Sequence, residues 1–573
     1  MGTDFQRTIL WVFFGMSLFL LWDRWLVYTG KPSMFGTAPT PTVAAPATPA
    51  AGPATPSVPA APAPAISAAP AAVPSTAPPA ATQQPIVVET DLIRATIDPE
   101  GAVLKRVELI KERHAPDWTA SGLAGLVTGR KEPDDRHVVL LEVSPQRVYV
   151  AQTGVVGADA LPNHRTPFSV VDGPRQLAEG QDKLDVTLVA ESGGARLAKT
   201  YTFHRGRYDV DVRHDVTNVG AAPISPSLYL QILRDGNKPE GESSFYYTYT
   251  GPVVYTEQDK FHKIEFSAIE KNKAELPKPA NNGWAGMIQH YFVTAWIPKE
   301  GTNRDYYARA VDKNLYSIGM LQPLGSLAPQ ASTTTNSQLY VGPQDQNVLA
   351  KLAPGLDLVV DYGWLTFLAK PIYWLLEFLH RIVGNWGWSI VLLTVIIKAA
   401  FYPLSAASYK SMARMKEVTP RMMKLREQYG DDKQKLNAAM MELYKNEKIN
   451  PLGGCLPILV QIPVFISLYW VLLASVEMRN APWILWVRDL ATPDAWFILP
   501  LVMMATMWIQ YKLNPTPPDP VQAKVMMFMP LIFGVMFFFF PAGLVLYWLT
   551  NNILSIAQQW YVTKQIEKAK KPG

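Results

Sequence analysis

Reactive chemistry is scarce in this sequence. Its 573 residues hold one cysteine, Cys455, so an intramolecular disulfide and a cysteine-based metal site are both excluded. The 8 histidines are scattered, with no HExxH-like spacing. No GxGxxG, GxxxxGK[ST] or GxSxG run occurs. Without a nucleotide-binding loop, anything this protein moves is moved without an ATPase of its own. No cofactor, no metal and no enzymatic activity are expected. The net charge of +5 says little by itself, and sequence-specific nucleic-acid binding is not expected.

Apolar residues are plentiful, and they are clumped. Residues 7–28, RTILWVFFGMSLFLLWDRWLVY, read as an apolar anchor, so 1–28 is expected to be an N-terminal transmembrane segment. Asp23, Arg24 and Trp25 follow the run where a cleavable signal would place small residues, which favours an uncleaved anchor. Residues 38–84 are almost entirely Ala, Pro, Thr, Ser and Val, with no charge. Proline this dense blocks helix and sheet and favours extended geometry, so 29–84 is expected to be a linker.

From residue 85 the texture changes to alternation. Tyr208, Val210, Val212 and Val216 alternate with Asp209, Asp211, Arg213 and Asp215, the pattern of a half-buried strand. Leu228, Leu230 and Ile232 repeat it, and Val138–Val143 is closer to a fully buried strand. Such runs recur without long helical stretches between them, predicting a large antiparallel β-sandwich over 85–345. Residues 364–383 set Trp364, Phe367, Ile372 and Leu376 against Lys370, Glu377 and Arg381. That pattern predicts a helix lying in a membrane interface within 346–385.

The stretch 386–404 is apolar enough for a spanning helix, yet it contains Lys398 and no acid. A charge in such a run is costly and marks a candidate functional site. At helical spacing Thr394, Lys398, Tyr402 and Ser405 share one stripe, with Leu392, Leu393, Ile396 and Ala400 opposite. The plainer alternative is a lysine that snorkels to the nearby membrane surface. Residues 405–450 are basic and read as a helical hairpin turning at Gly430-Asp431-Asp432, with Arg414 and Lys416 on its first arm. Its methionines, Met422, Met423 and Met441 among them, either pack the two arms together or offer soft apolar surface.

Further spans are expected at 451–474, 495–511, 525–540 and 541–563. Positive charge flanking spans marks the cytoplasmic side. It assigns the hairpin, the 512–524 turn and the 564–573 tail to the inside, and the sandwich and the 475–494 loop to the outside. Both termini are then cytoplasmic. In that outer loop Trp483 and Trp486 are expected to act as interface anchors. On the last span Tyr547, Asn551, Ser555 and Gln558 form a second polar stripe. Two such stripes could enclose a wet cavity. Bulky Met and Phe side chains in the spans suit surfaces that tolerate many partners.

Three segments carry a family resemblance: NWGWSIVLLTVIIKAAFYPL, KINPLGGCLPILVQIPVFISLYW and FPAGLVLYWLTNN. They resemble the membrane core of the YidC/Oxa/Alb family of membrane protein insertases. GWAGMIQHYFVTAWIP is similar to the periplasmic motif of its Gram-negative members. The resemblance implies a polytopic α-helical membrane protein of the inner membrane. A five-helix core and an N-terminal anchor would carry a periplasmic β-super-sandwich similar to galactose mutarotases. It implies a hydrophilic groove whose one positive charge sits at Lys398, where the family usually has arginine, with Thr394, Tyr402, Tyr547 and Asn551 beside it. Gln461, Ile462, Phe465, Met503 and Phe537 would line an apolar slide for the substrate helix. The hairpin, through Arg414, Lys416, Asp431 and Asp432, would receive substrate. Implied partners are nascent membrane proteins, the Sec translocon, the ribosome, signal-recognition targeting machinery and the phospholipid bilayer. The residues leave two other readings open: a channel or secondary transporter, and a membrane-anchored periplasmic sugar-binding protein.

Overall fold

The computed structural model describes residues 84–114, 122–128, 136–158, 160–239, 242, 248–429, 432–447, 456–514 and 520–570. The expected anchor, all but the last residue of the linker, Asp431 and Cys455 lie outside the described residues.

The alternating segments form two antiparallel sheets. The first holds eight strands in the order Ile86–Glu89, Ile93–Asp98, Val103–Arg113, His137–Val143, Val148–Val156, Ser227–Asp235, Leu315–Pro323, Asp305–Asp312. The second holds nine, in the order Lys260–Lys263, Gly251–Thr256, Trp284–Gln289, Phe292–Pro298, Ser332–Pro343, Asp209–Asn218, Ala195–His204, Lys183–Ser192, Ser169–Val170. Strand Asp209–Asn218 obeys its pattern: Val210, Val212, His214 and Val216 are buried, while Arg213 is exposed. A period of two sends alternate side chains to opposite faces, and only one face of this strand is fully enclosed. His137–Val143 departs from the expectation of a fully buried strand, since Val139 is only half-buried and Val143 is exposed. Ser227–Asp235 is enclosed on both faces: Leu228, Leu230 and Ile232 enter the main core, and Tyr229 packs with Val156 and Leu321 on the other side.

Short helices α1 (Gly122–Thr128) and α2 (Phe266–Glu270) decorate the sandwich. The chain leaves the sandwich through α3 (Gln346–Leu352), whose first turn is capped by the Asp345 carboxylate accepting from the Asn347 and Val348 N–H groups. Two 3-10 turns, Leu356–Val359 and Gly363–Leu365, lead into α4 (Thr366–Val383), which ends on left-handed Gly384. Then come α5 (Trp386–Ala400), α6 (Tyr402–Tyr429), α7 (Lys433–Asn446), α8 (Leu456–Ala474), α9 (Ile498–Leu513), α10 (Pro520–Met536) and α11 (Ala542–Lys570).

Between α5 and α6 the axis bends by 67° at Phe401. Pro403 is the cause: it has no N–H for the Ala399 carbonyl, and its ring crowds that turn. Among the described residues no single helix is long and apolar enough to cross a membrane, and the bent pair α5–α6 meets that test only together. The other expected spans fall on shorter apolar helices or, at 541–563, on the first part of α11.

One hydrophobic core joins sandwich and helices. Trp284, Val293 and Tyr340 of the nine-stranded sheet share it with Leu349 of α3, Leu376 of α4, Ile390 and Leu393 of α5, Leu468 of α8 and Leu546 of α11. The Trp284 indole also donates to the Pro354 carbonyl at 3.1 Å. Gly283, just before that strand, has φ +94°, and a Cβ there would lie 2.1 Å from the Tyr255 carbonyl oxygen, so only glycine fits.

Helix α4 is not a simple amphipathic helix. Ala369, Ile372, Tyr373, Leu376 and Leu379 are buried, yet Trp364, Phe367, Trp374, Phe378 and Ile382 are exposed, so it has two apolar faces. Trp483 is no free anchor either. Its ring lies edge-on to Trp388 at 5.6 Å and covers Gly387, where a Cβ would meet it at 2.2 Å.

The loop after α8 contains Glu477, whose Oε1 accepts from the Tyr373 hydroxyl of α4 at 2.5 Å while its Oε2 is buried without a hydrogen-bond partner. Burial pushes the Glu477 carboxyl up from 4.5 to about 7, against the hydrogen bonds from Tyr373 and the backbone that hold it down; Asp345 and Glu377 add repulsion. An acid raised in this way binds its proton more tightly folded than unfolded. Its stabilising share is complete below pH 4.5 and is lost as pH rises through about 7. Glu477→Gln is therefore expected to flatten the stability–pH curve across that window, by up to ~3 kcal/mol, in denaturant titrations of the full chain. An unchanged curve would place the loss elsewhere.

Candidate functional site: a lysine among apolar helices

The central observation is where the lone charge of α5 goes. Lys398 is 5% exposed, and its Nζ donates to the Ser555 Oγ of α11 at 2.7 Å. Ser555 in turn donates to the Asn551 carbonyl one turn earlier, at 2.7 Å. Among the described residues no carboxylate pairs with Lys398. The ammonium is thus held by a neutral hydroxyl, which leaves further donor capacity unspent. The surroundings are weakly polar: Thr394, Ser405 and Ser408 are buried, and the Thr394 hydroxyl turns back to the Ile390 carbonyl at 2.7 Å.

Two more hydrogen bonds tie α11 to α9. Asn552 donates to Thr506 Oγ1 at 2.9 Å, and Gln559 to Asn514 Oδ1 at 3.0 Å. With Ser555 they form one face of α11, at spacings of three and four residues. Paired amides and hydroxyls of this kind join helices where no water competes.

The expected site residues separate into groups. Lys398 and Thr394 of α5 and Tyr547 of α11 are all buried, and Asn551 is half-buried beneath Ser555. Tyr402 does not join them. It is 38% exposed, because the bend at Phe401 breaks the helical stripe on which it was placed. Leu393, expected on the opposite face, turns inward and is fully buried, whereas Leu392, Val395 and Ile396 are exposed. Among the slide residues, Phe465 lies against Tyr547 at 5.8 Å, and Phe537 packs on Trp548 at 4.6 Å. Met503 and Phe537 are buried, Gln461 and Phe465 half-buried, and Ile462 is 41% exposed. The residue that sequence reasoning undervalued is Ser555. Its place on the polar stripe of α11 was visible, but its pairing with Lys398 was not.

On the hairpin, Arg414 and Lys416 are exposed. Asp432 caps α7 by accepting from the Gln434 and Lys435 N–H groups at 3.1 Å. Arg421 of α6 pairs with Glu447 just beyond α7. The methionines divide: Met422 is buried beneath the Tyr444 hydroxyl, while Met423 and Met441 are exposed. They serve both as packing and as soft surface.

The class of protein is thus an antiparallel sandwich that shares a core with apolar helices, one of which carries a buried lysine. Comparisons with known proteins sharpen this. The family model described as the YidC periplasmic domain matches residues 85–375, and that described as the 60Kd inner membrane protein matches 378–570. The chain is similar to the membrane protein insertase YidC of Bordetella parapertussis, 58% identical over 574 residues, covering 99% of this chain and 98% of that one. It is similar to the protein of that name from Cupriavidus necator, 55% identical over 568 residues, covering 99% of each. A crystal structure of an active YidC insertase with its first transmembrane domain resolved covers 84% of this chain and 93% of its own, at TM-score 0.37 and 19% identity. The chain belongs to the YidC family of membrane protein insertases. The family's place is the inner membrane, with the sandwich as its periplasmic domain.

The Lys398–Ser555 contact has a measurable cost. Ser555→Ala removes the hydroxyl and is expected to lower the stability of the detergent-solubilised full chain by ~1 kcal/mol, whereas Ser555→Thr retains most of it. Equal unfolding midpoints for the parent and Ser555→Ala would mean that water or lipid already satisfies the ammonium.

Proposed function

We propose that this protein inserts nascent membrane proteins through a hydrophilic groove beside Lys398, open to the cytoplasm and to lipid. The observation that carries the reading is a buried cation with a hydroxyl partner and, among the described residues, no carboxylate. Such a charge attracts the acidic or polar flank of an incoming segment without first having to break an ion pair. The segment's apolar helix supplies the driving force itself: about 20 apolar residues entering lipid gain about 25 cal/mol per Å². What opposes entry is the polar flank, and a wet, charged groove lowers that barrier without ATP. The apolar residues around α11, Phe465, Met503 and Phe537 among them, then offer the leaving path, with Gln461 and Ile462 at its margin. Thr394, Tyr547 and Asn551 complete the groove beside the lysine.

The exposed Arg414 and Lys416, the acidic Asp431-Asp432 sequence and the exposed Met423 and Met441 suit the hairpin to receiving substrate from the ribosome and the signal-recognition targeting machinery. Both termini lie in the cytoplasm on this reading. The protein works alone or beside the Sec translocon.

Two experiments test the proposal. In proteoliposomes, Lys398→Arg is expected to retain insertion of a small substrate with an acidic translocated tail, and Lys398→Glu to reduce it about tenfold or more, since the charge near the groove changes sign. Equal insertion by the Glu variant would eliminate attraction as the mechanism. Deleting residues 417–448 is expected to abolish insertion while the sandwich still folds. Normal insertion by that variant would reduce the hairpin to a connector.

A further inference from the structure

A second site lies where the sandwich meets α4. A cavity of about 400 Å³ is lined by Phe261 and Lys263 of an edge strand, Asp361 and Tyr362 of the connecting turn, and Thr366 and Lys370 of α4. That volume lies in the range of small-molecule sites. Its charges come in opposed pairs. Lys263 contacts Asp361, and Lys370 Nζ lies 2.9 Å from Asp357 Oδ2. The two lysines and Asp361 are part-exposed, with 27%, 47% and 51% of their side chains accessible, so a ligand reaches them. His262 is already engaged, its ring nitrogen 2.5 Å from the Asp259 carbonyl oxygen.

The cavity opens beside an apolar stripe. Lys370 is three residues from Phe367 and four from Trp374, so the three share one face of α4. Phe367, Trp374 and Phe378 on that face are 73%, 64% and 46% exposed, and Trp364, in the 3-10 turn just before the helix, is 77% exposed. Aromatic rings with a nearby lysine are what a membrane interface selects. A ligand that fills the cavity and continues along the stripe therefore has a charged head carrying both signs and an apolar body.

We infer that this cavity binds the headgroup of a phospholipid whose head carries a phosphate and a primary amine, its acyl chains lying along the exposed rings of α4. The phosphate oxygens bridge Lys263 and Lys370, and the amine donates to Asp361. A primary amine offers N–H donors to this carboxylate, while a fully methylated ammonium offers none. Two cations and a carboxylate in the lining match a zwitterion better than an anionic head, because the carboxylate repels any further negative charge. The inference rests on the reading that α4 lies along the periplasmic surface of the bilayer. It makes the lipid a fastener that fixes the sandwich against that surface.

The full chain in detergent is titrated with short-chain phosphatidylethanolamine, short-chain phosphatidylcholine, O-phosphoethanolamine and inorganic phosphate, and binding is read by native mass spectrometry. Phosphatidylethanolamine is expected to bind about tenfold more tightly than phosphatidylcholine, the difference that one charge-assisted hydrogen bond makes. Lys370→Gln and Lys263→Gln are each expected to weaken it by a similar factor, and Asp361→Asn to erase the preference between the two lipids. Lys370 is an exposed helix-surface residue, so its variant decides the matter if Lys263→Gln fails to fold. Equal binding of the two lipids overturns the amine contacts, and unchanged binding by the lysine variants overturns the site. Equally tight O-phosphoethanolamine or inorganic phosphate would assign the cavity to a soluble ligand and overturn the lipid. Binding is read without insertion, so this result and that of the Lys398 experiment are independent.

Discussion

A charge enclosed by apolar helices must be satisfied locally, and the helical half of this protein is arranged around one such charge. Lys398 has a hydroxyl for a partner, and that hydroxyl belongs to α11, so the ammonium ties α5 to α11. Helix α11 is in turn joined to α9 through Asn552–Thr506 and Gln559–Asn514. Each contact is worth about 1 kcal/mol or less. Together they fix which face of α11 turns inward, which packing among interchangeable Leu, Met and Phe side chains would leave weakly specified. The polar minority sets the register of the apolar majority.

The same logic extends outward through the shared core. Trp284 and Tyr340 of the sandwich share one apolar cluster with Leu349, Leu376 and Ile390. An interface of that kind behaves like the interior of one domain rather than a hinge between two. Arg479 of the outer loop adds to it, stacking its guanidinium over Phe292 at 5.0 Å and donating to the Arg113 carbonyl at 2.6 Å. The buried carboxyl of Glu477, bonded to α4 through Tyr373, makes this junction sensitive to pH. Motion of the sandwich relative to the helices would have to expose apolar area on both sides.

How much of this was legible depended on the solvent each segment faces. Strand Asp209–Asn218 faces water on one side, so its alternation could be read and it held, with His214 buried on the inward face among the valines. The apolar helices offer no such contrast. When both faces are apolar, hydrophobicity does not separate inside from outside. Hence hydrophobicity alone does not tell that Met503 and Phe537 are buried while Ile532 and Phe528 of α10 are exposed. Tyr402 was hard to place for a different reason: the helical stripe was continued through Phe401, where the axis turns by 67°. Polar residues within apolar runs remained readable throughout, and Lys398, Asn551 and Ser555 were all visible as such. What the sequence could not convey was which stripe faces which, because that pairing is a tertiary fact.

The choice of a hydroxyl rather than a carboxylate as the partner of Lys398 has an energetic consequence. Had the ammonium been paired with a buried acid, removing that acid from it would cost about 3–5 kcal/mol, and a passing acidic segment would have to match that loss before gaining anything. Displacing a serine hydroxyl costs about 1 kcal/mol, and water or the substrate's own carboxylate replaces it at once. Lysine also differs from arginine here. Its compact ammonium has three rotatable donors and no planar fork, so no single docking geometry is imposed on the incoming group. A cation held this loosely, inside helices whose register is fixed by separate amide pairs, can exchange partners without disturbing the packing that surrounds it. On the proposed reading, the contacts that keep the helices together and the contact open to a substrate are thus made by different side chains of the same helix, α11: Asn552 and Gln559 for the first, Ser555 for the second.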